Sequence, residues 1–119
     1  MPVKSVPIVL NDGKTRQLRF EWEALENLER ELGLSIFELG PDIIAGKVGV
    51  TKMAVVIWAG LSFDEKNLQL NDVRKLLDSS EFLAYTGKIA EGLESVFEEG
   101  KVKNATRSSP KKAIPGKSI

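Results

Sequence analysis

Residues 51–61, Thr-Lys-Met-Ala-Val-Val-Ile-Trp-Ala-Gly-Leu, form the one stretch of about ten residues that is almost free of charge. A helix that is apolar all round has to be covered all round. The stretch therefore predicts a buried central helix, with Thr51 capping its first turn and Gly60 ending or bending it. Val55, Val56, Ile57 and Trp58 would also suit a strand, but length and the preceding cap favour the helix. The run is far shorter than the ~20 apolar residues that span a bilayer.

The flanking patterns are amphipathic. Residues 6–10 and 15–20 have strand character and are separated by Asn11-Asp12-Gly13-Lys14, whose Asp-Gly pair is favoured in tight hairpin turns. Leu18 and Phe20 share one face with Arg16, while Gln17 and Arg19 share the other. From residue 21 the period becomes helical: Trp22, Leu25, Leu28 and Leu32 recur on one side with Ala24, and Gly33 follows as a C-terminal glycine. Glu23, Glu26, Arg30 and Glu31 occupy the opposite face, with Glu26 and Arg30 at i and i+4.

Ser35 caps a short helical turn over 36–39 that Gly40-Pro41 is expected to stop. A second short turn over 42–45 and a flexible glycine loop over 46–50 follow. Beyond the central helix, 62–69 is a polar link. Residues 70–77 then form an amphipathic helix capped by Asn71, with Asp72 at its N-terminus and Val73, Leu76 and Leu77 inward. A last helix starts at Ser79 or Ser80 and carries the seam Phe82, Tyr85, Ile89, Leu93, Val96 and Phe97. Glu98-Glu99-Gly100 is expected to end it. Gly87 and Gly92 weaken this helix by up to ~1 kcal/mol each relative to alanine, which implies close backbone contact or a bend. The expected fold is α+β: an N-terminal β-hairpin packed on a bundle of four to five helices, in one domain over residues 1–100.

Composition narrows the chemistry. The chain has no cysteine and no histidine, which removes disulfides, thiolate sites, the usual zinc ligands and the usual general base. No cofactor, metal site or catalytic residue is expected, and no signal peptide is visible. Of 17 basic residues, six lie in 101–119 together with no acidic one. The remaining eleven face all 17 acidic residues in the body, so the body is acidic and the tail, low in apolar content, is expected to be disordered. An acidic body lacks the basic face of a nucleic-acid platform. Arg74 and Lys75 give a poor recognition helix beside Asp72 and Asp78, and Gly13-Lys14-Thr15 lacks the first glycine of a phosphate-binding loop.

The order Leu18-x-Phe20-x-x-x-Ala24-Leu25-x-x-Leu28-Glu29-x-x-x-Gly33-x-Ser35-Ile36, then Ile57-Trp58-Ala59-Gly60-Leu61 and Leu70-x-x-Val73-x-x-Leu76-Leu77, resembles the small tail assembly chaperones of long-tailed bacteriophages. The resemblance is to the group found in gene transfer agents and related prophages, and it covers roughly residues 16–77. It implies a non-catalytic cytoplasmic protein of the bacterial host that binds the long helical tape measure protein and assists tail tube subunits. Many such proteins also occur in a longer, frameshifted form, and the repetitive codons that slippage needs are expected at Lys111-Lys112 or Gly116-Lys117-Ser118.

Holding a helical client takes an apolar groove. The candidate contact residues are Trp22, Phe37, Trp58, Phe82, Tyr85 and Phe97, although burial in the core is the commoner fate of such side chains. Glu26, on the acidic helix face, is a candidate for meeting basic client segments. Self-association through the end of the last helix is a further expectation. The alternative class is a structural virion subunit, such as a tail tube or head-tail joining protein, and a small DNA-binding regulator stands behind it.

Overall fold

The computed structural model describes residues 4–108, and side chains as far as Phe97. The fold is α+β, as the patterns predict. Strands β1 (Val6–Val9) and β2 (Thr15–Leu18) form an antiparallel hairpin. Among the described residues five α-helices follow: α1 (Trp22–Leu32), α2 (Ile36–Ile44), α3 (Val50–Leu61), α4 (Leu70–Leu76) and α5 (Phe82–Ser108). A short 3-10 turn at Ser79–Glu81 leads into α5.

Alternation decides how the hairpin sits. Ile8 pairs with Arg16 and Val6 with Leu18, and Val6, Ile8, Leu10, Leu18 and Phe20 are all buried. The sheet thus gives one face to the helices, as a half-covered antiparallel pair does. Gly13, at φ +76°, donates its N–H to the Leu10 carbonyl and closes the turn. Asn11 fastens that turn to the end of α4: its backbone N–H donates to the Leu76 carbonyl at 2.9 Å and its side chain to the Leu77 carbonyl at 3.3 Å.

The central helix is as buried as its composition requires, with Met53 to Ile57 and Ala59 to Leu61 all inside. Its ends differ from expectation. Gly49 takes the N-cap position without a side-chain bond, because the helix begins one residue before Thr51. Gly60 does not end α3, which continues to Leu61 with Ser62 as its C-cap. It is buried within the last turn, where a Cβ would stand 2.9 Å from Leu18 Cδ2 and 3.0 Å from Phe20 Cζ. Gly92 of α5 plays the same part from the other side, its missing Cβ 2.9 Å from Phe20 Cε2. The Phe20 ring is therefore seated between two helices at two bare backbones. Gly87, by contrast, meets nothing within 4 Å, so close contact explains Gly92 but not Gly87.

Helix α2 corrects a second expectation. It runs without interruption through Gly40-Pro41, where the sequence predicts a stop and two separate turns. Proline removes one internal hydrogen bond. Leu39 and Gly40 before it and Ile43 after it are all buried, and α2 packs on both α1 and α5, so tertiary contact holds both halves in line. Its start is well tied. Ser35 Oγ accepts from the Glu38 N–H, Glu38 accepts from the Ser35 N–H, and Glu29 Oε2 accepts from the Ile36 N–H at 2.7 Å.

Other caps shift by a residue or two. Gln69, not Asn71, is the N-cap of α4, and its N–H donates to Asp72 Oδ2 at 3.1 Å. Asp78, not Ser79 or Ser80, caps the turn before α5 by accepting from the Ser80 N–H. Helix α5 passes through Gly100 and continues to Ser108, so Glu98-Glu99-Gly100 does not end it. The expectations for residues 109–119 lie outside the described residues. Arg30 donates to Asn27 Oδ1 at 2.8 Å, and no ion pair joins it to Glu26 among the described residues.

Among the described residues, Arg16 is the one buried charged side chain. It reaches Asp12 through both terminal nitrogens, at 3.0 and 2.8 Å, and Glu65 of the polar link through Nε at 2.6 Å. A forked, charge-assisted arrangement of this kind fixes geometry as well as charge. Hydrogen bonding from Arg16, and then from the Lys14 backbone, holds the Asp12 carboxyl down at about 2.

Candidate functional site

Among the described residues, two apolar depressions border α5. The first, of about 300 Å³, lies where α3, α4 and the start of α5 meet. Met53, Ala54 and Tyr85 are buried in its walls, Val50, Leu77 and Phe82 reach its surface, and Arg74, Asp78 and Ser79 are polar members of its lining. The Tyr85 hydroxyl accepts from the Asp78 N–H at 3.0 Å, so the phenol is committed to holding the loop before α5.

The second depression, of about 480 Å³, is formed by Phe37, Pro41, Ile44 and Ala45 of α2 and its C-cap, with Phe97 of α5. Positions 37, 41, 44 and 45 recur at the spacing of a single helix face. Phe97 is half-buried because Gly40 makes room for it: a Cβ at residue 40 would lie 2.4 Å from Phe97 Cζ. Phe37 is 81% exposed at the edge of this groove.

The seven residues singled out from sequence do not form one site. Phe37 and Phe97 come together in the α2–α5 groove, and Phe82 and Tyr85 in the α3–α4–α5 groove. Trp58 is half-buried and its Nε1–H donates to the Leu68 carbonyl at 3.0 Å, tying the polar link to α3. Trp22 is 77% exposed. It is the first residue of α1 and lies at the margin of the apolar stripe, outside the arc that Ala24 and Leu28 bury. Glu26 is exposed on the acidic face of α1, where Glu23 pairs with Lys66 at 3.0 Å.

Sequence reasoning missed Pro41, Ile44 and Ala45 as groove residues because it broke α2 at the proline. It also missed the exposed Val50 and Leu83. The signal for the α2 stripe was present in the i, i+4, i+7 spacing, which is visible only once the helix is read as continuous.

No three His, Cys, Asp or Glu side chains among the described residues gather as metal ligands. No described helix is long and apolar enough to cross a membrane. Comparison with protein-family models, with curated proteins and with solved structures finds no match to this chain.

Proposed function

We propose that this chain is a non-catalytic tail assembly chaperone of a phage or prophage, acting in the bacterial cytoplasm on the tape measure protein and on tail tube subunits. The resemblance over residues 16–77 supplies the client. The structural support is the amount of large apolar surface left open: Phe37, Leu83, Trp22 and Val50 are each at least 67% exposed. Two of them, Phe37 and Val50, line apolar grooves. Scattered surface apolar residues are ordinary in a monomer, whereas apolar side chains gathered at a groove mark a place where another chain sits.

Holding a helical client requires shape and desolvation rather than bond chemistry. The test is co-expression of the full chain with a tape measure protein encoded beside it, followed by purification of both the soluble complex and the finished particles. A soluble complex, with the chain scarce in the particles by mass spectrometry, is the expected result. Stoichiometric retention in particles would establish the structural virion subunit instead, and failure to keep any client soluble would remove the chaperone.

A further inference from the structure

We infer that the α2–α5 groove is the docking site for one amphipathic helix whose apolar stripe is flanked by basic residues. This inference rests on the chaperone reading and names the part of the surface, and the class of segment, that it uses.

The shape of the groove selects a helix. Its first wall is a stripe at positions 37, 41 and 44 of α2 and its C-cap Ala45, the i, i+4, i+7 spacing through which two helices interlock. Phe97 from α5 forms the second wall. A third helix laid along such a pair covers both at once, including Phe37, which is 81% exposed.

Charge selects the flanks. Glu38 and Asp42 follow Phe37 and Pro41 directly on α2 and are exposed, and Glu94, one turn before Phe97 on α5, is exposed as well. None of the three carries an ion pair to another described residue, and Lys47, just beyond the end of α2, is the nearby basic residue of the loop. An apolar stripe with an acidic border is matched by an apolar stripe with a basic border, and the charges set register and encounter rate more than final affinity. The body's excess of acid over base points the same way.

The experiment uses the full chain and two synthetic helical peptides of roughly 20 residues, long enough to be helical when bound. Both carry Leu and Ala at i, i+3, i+4 and i+7. One has Lys at the flanking positions and the other Glu. Dissociation constants are measured by fluorescence anisotropy at low and at physiological salt, for the wild type, F37S and D42K.

The Lys-flanked peptide should bind, its affinity should fall at least ~10-fold with F37S, as for loss of an aromatic anchor, and it should weaken with salt and with D42K. The Glu-flanked peptide should bind at least ~10-fold less tightly than the Lys-flanked one. Equal affinity for the two peptides would overturn the inference, as would binding that F37S leaves unchanged in a variant with an unaltered melting curve. Tighter peptide binding by K111E/K112E would assign the groove to the chain's own basic tail, and a concentration-dependent dimer lost in F37S would assign it to a second copy. Either result displaces the proposal. If tape measure protein is still held by F37S, the chaperone reading stands and this site falls; if the wild type holds none, both fall.

Discussion

Phe20 and Gly92 meet ring to backbone: a Cβ at residue 92 would lie 2.9 Å from Phe20 Cε2. Gly60 presses on the same ring from α3. The ring is fully buried and belongs to β2's continuation, so it cannot retreat without pulling the hairpin from the helices. Adding a methyl group at either glycine overfills the junction.

The first prediction is a contrast between glycines. G92A and G60A should each destabilise the fold by ~1–3 kcal/mol, the cost of overpacking a tight core. G87A, at an exposed helical position with nothing within 4 Å, should leave stability unchanged or raise it by up to ~1 kcal/mol, through helix propensity alone. Urea denaturation of the three variants, read by circular dichroism, measures the ranking.

A second prediction concerns acid. The native Asp12 carboxyl is held at about 2 by Arg16 and the Lys14 N–H, below the ~3.9 of an unfolded chain. A depressed carboxyl stabilises the native state above its unfolded value, and that contribution is lost as pH falls through the native one. The stability gap between wild type and D12N should therefore be constant above pH ~4 and close progressively toward pH ~2. Chemical denaturation at a series of pH values follows it. A gap that widens on acidification would contradict the assignment.

The two tryptophans provide a third. Trp22 is 77% exposed, and Trp58 is half-buried with its indole N–H bonded to the Leu68 carbonyl. Iodide should quench W58F, which retains Trp22, far more than W22F, which retains Trp58, and W22F should emit at shorter wavelength. W58F should also lose stability, by ~1 kcal/mol for the hydrogen bond.

A fourth separates surface from core on α2. Phe37 is 81% exposed while Ile43 is fully buried. F37S should change stability by no more than ~0.5 kcal/mol, as surface substitutions do, while I43A should cost ~2–5 kcal/mol. Thermal and urea unfolding of the pair checks this, and it establishes F37S as a clean probe of binding.

Periodicity was a reliable guide wherever one force dominated. The charge-free run of α3 had to be buried, and the Asp-Gly turn had to close a hairpin, whatever else the chain did. Errors collected where local and tertiary preferences compete. Gly40-Pro41 carries a strong local stop signal, yet Leu39, Gly40 and Ile43 are all buried against neighbours that the local signal knows nothing about. Trp22 fell on the apolar stripe by spacing, but it lies at the margin of that stripe, outside the arc that Ala24 and Leu28 bury. The caps before α4 and α5 were misplaced by one or two residues because more than one polar residue stands near each of those starts, Gln69 and Asn71 for one and Asp78, Ser79 and Ser80 for the other. The groove was hidden for the same reason as the helix that carries it: an i, i+4, i+7 stripe exists only if residues 37 and 44 belong to one element.

Arg16 was legible as an inner-face residue but not as a buried cation with two carboxylate partners. Asp12 lies in the turn and was visible nearby. Glu65 sits 49 residues away in the chain, within a link whose polar composition looked featureless, and nothing local marks it as the second partner.

The hairpin's anchors also set a timetable for synthesis. Its turn is fastened to carbonyls of residues 76 and 77, and Phe20 finds its second wall only at Gly92. At a ribosome adding ~5–20 residues per second, the earliest strands wait several seconds for the segments that shelter them. The nascent hairpin thus emerges without the segments that anchor it, and its native contacts at residues 76, 77 and 92 form only after those segments have been added.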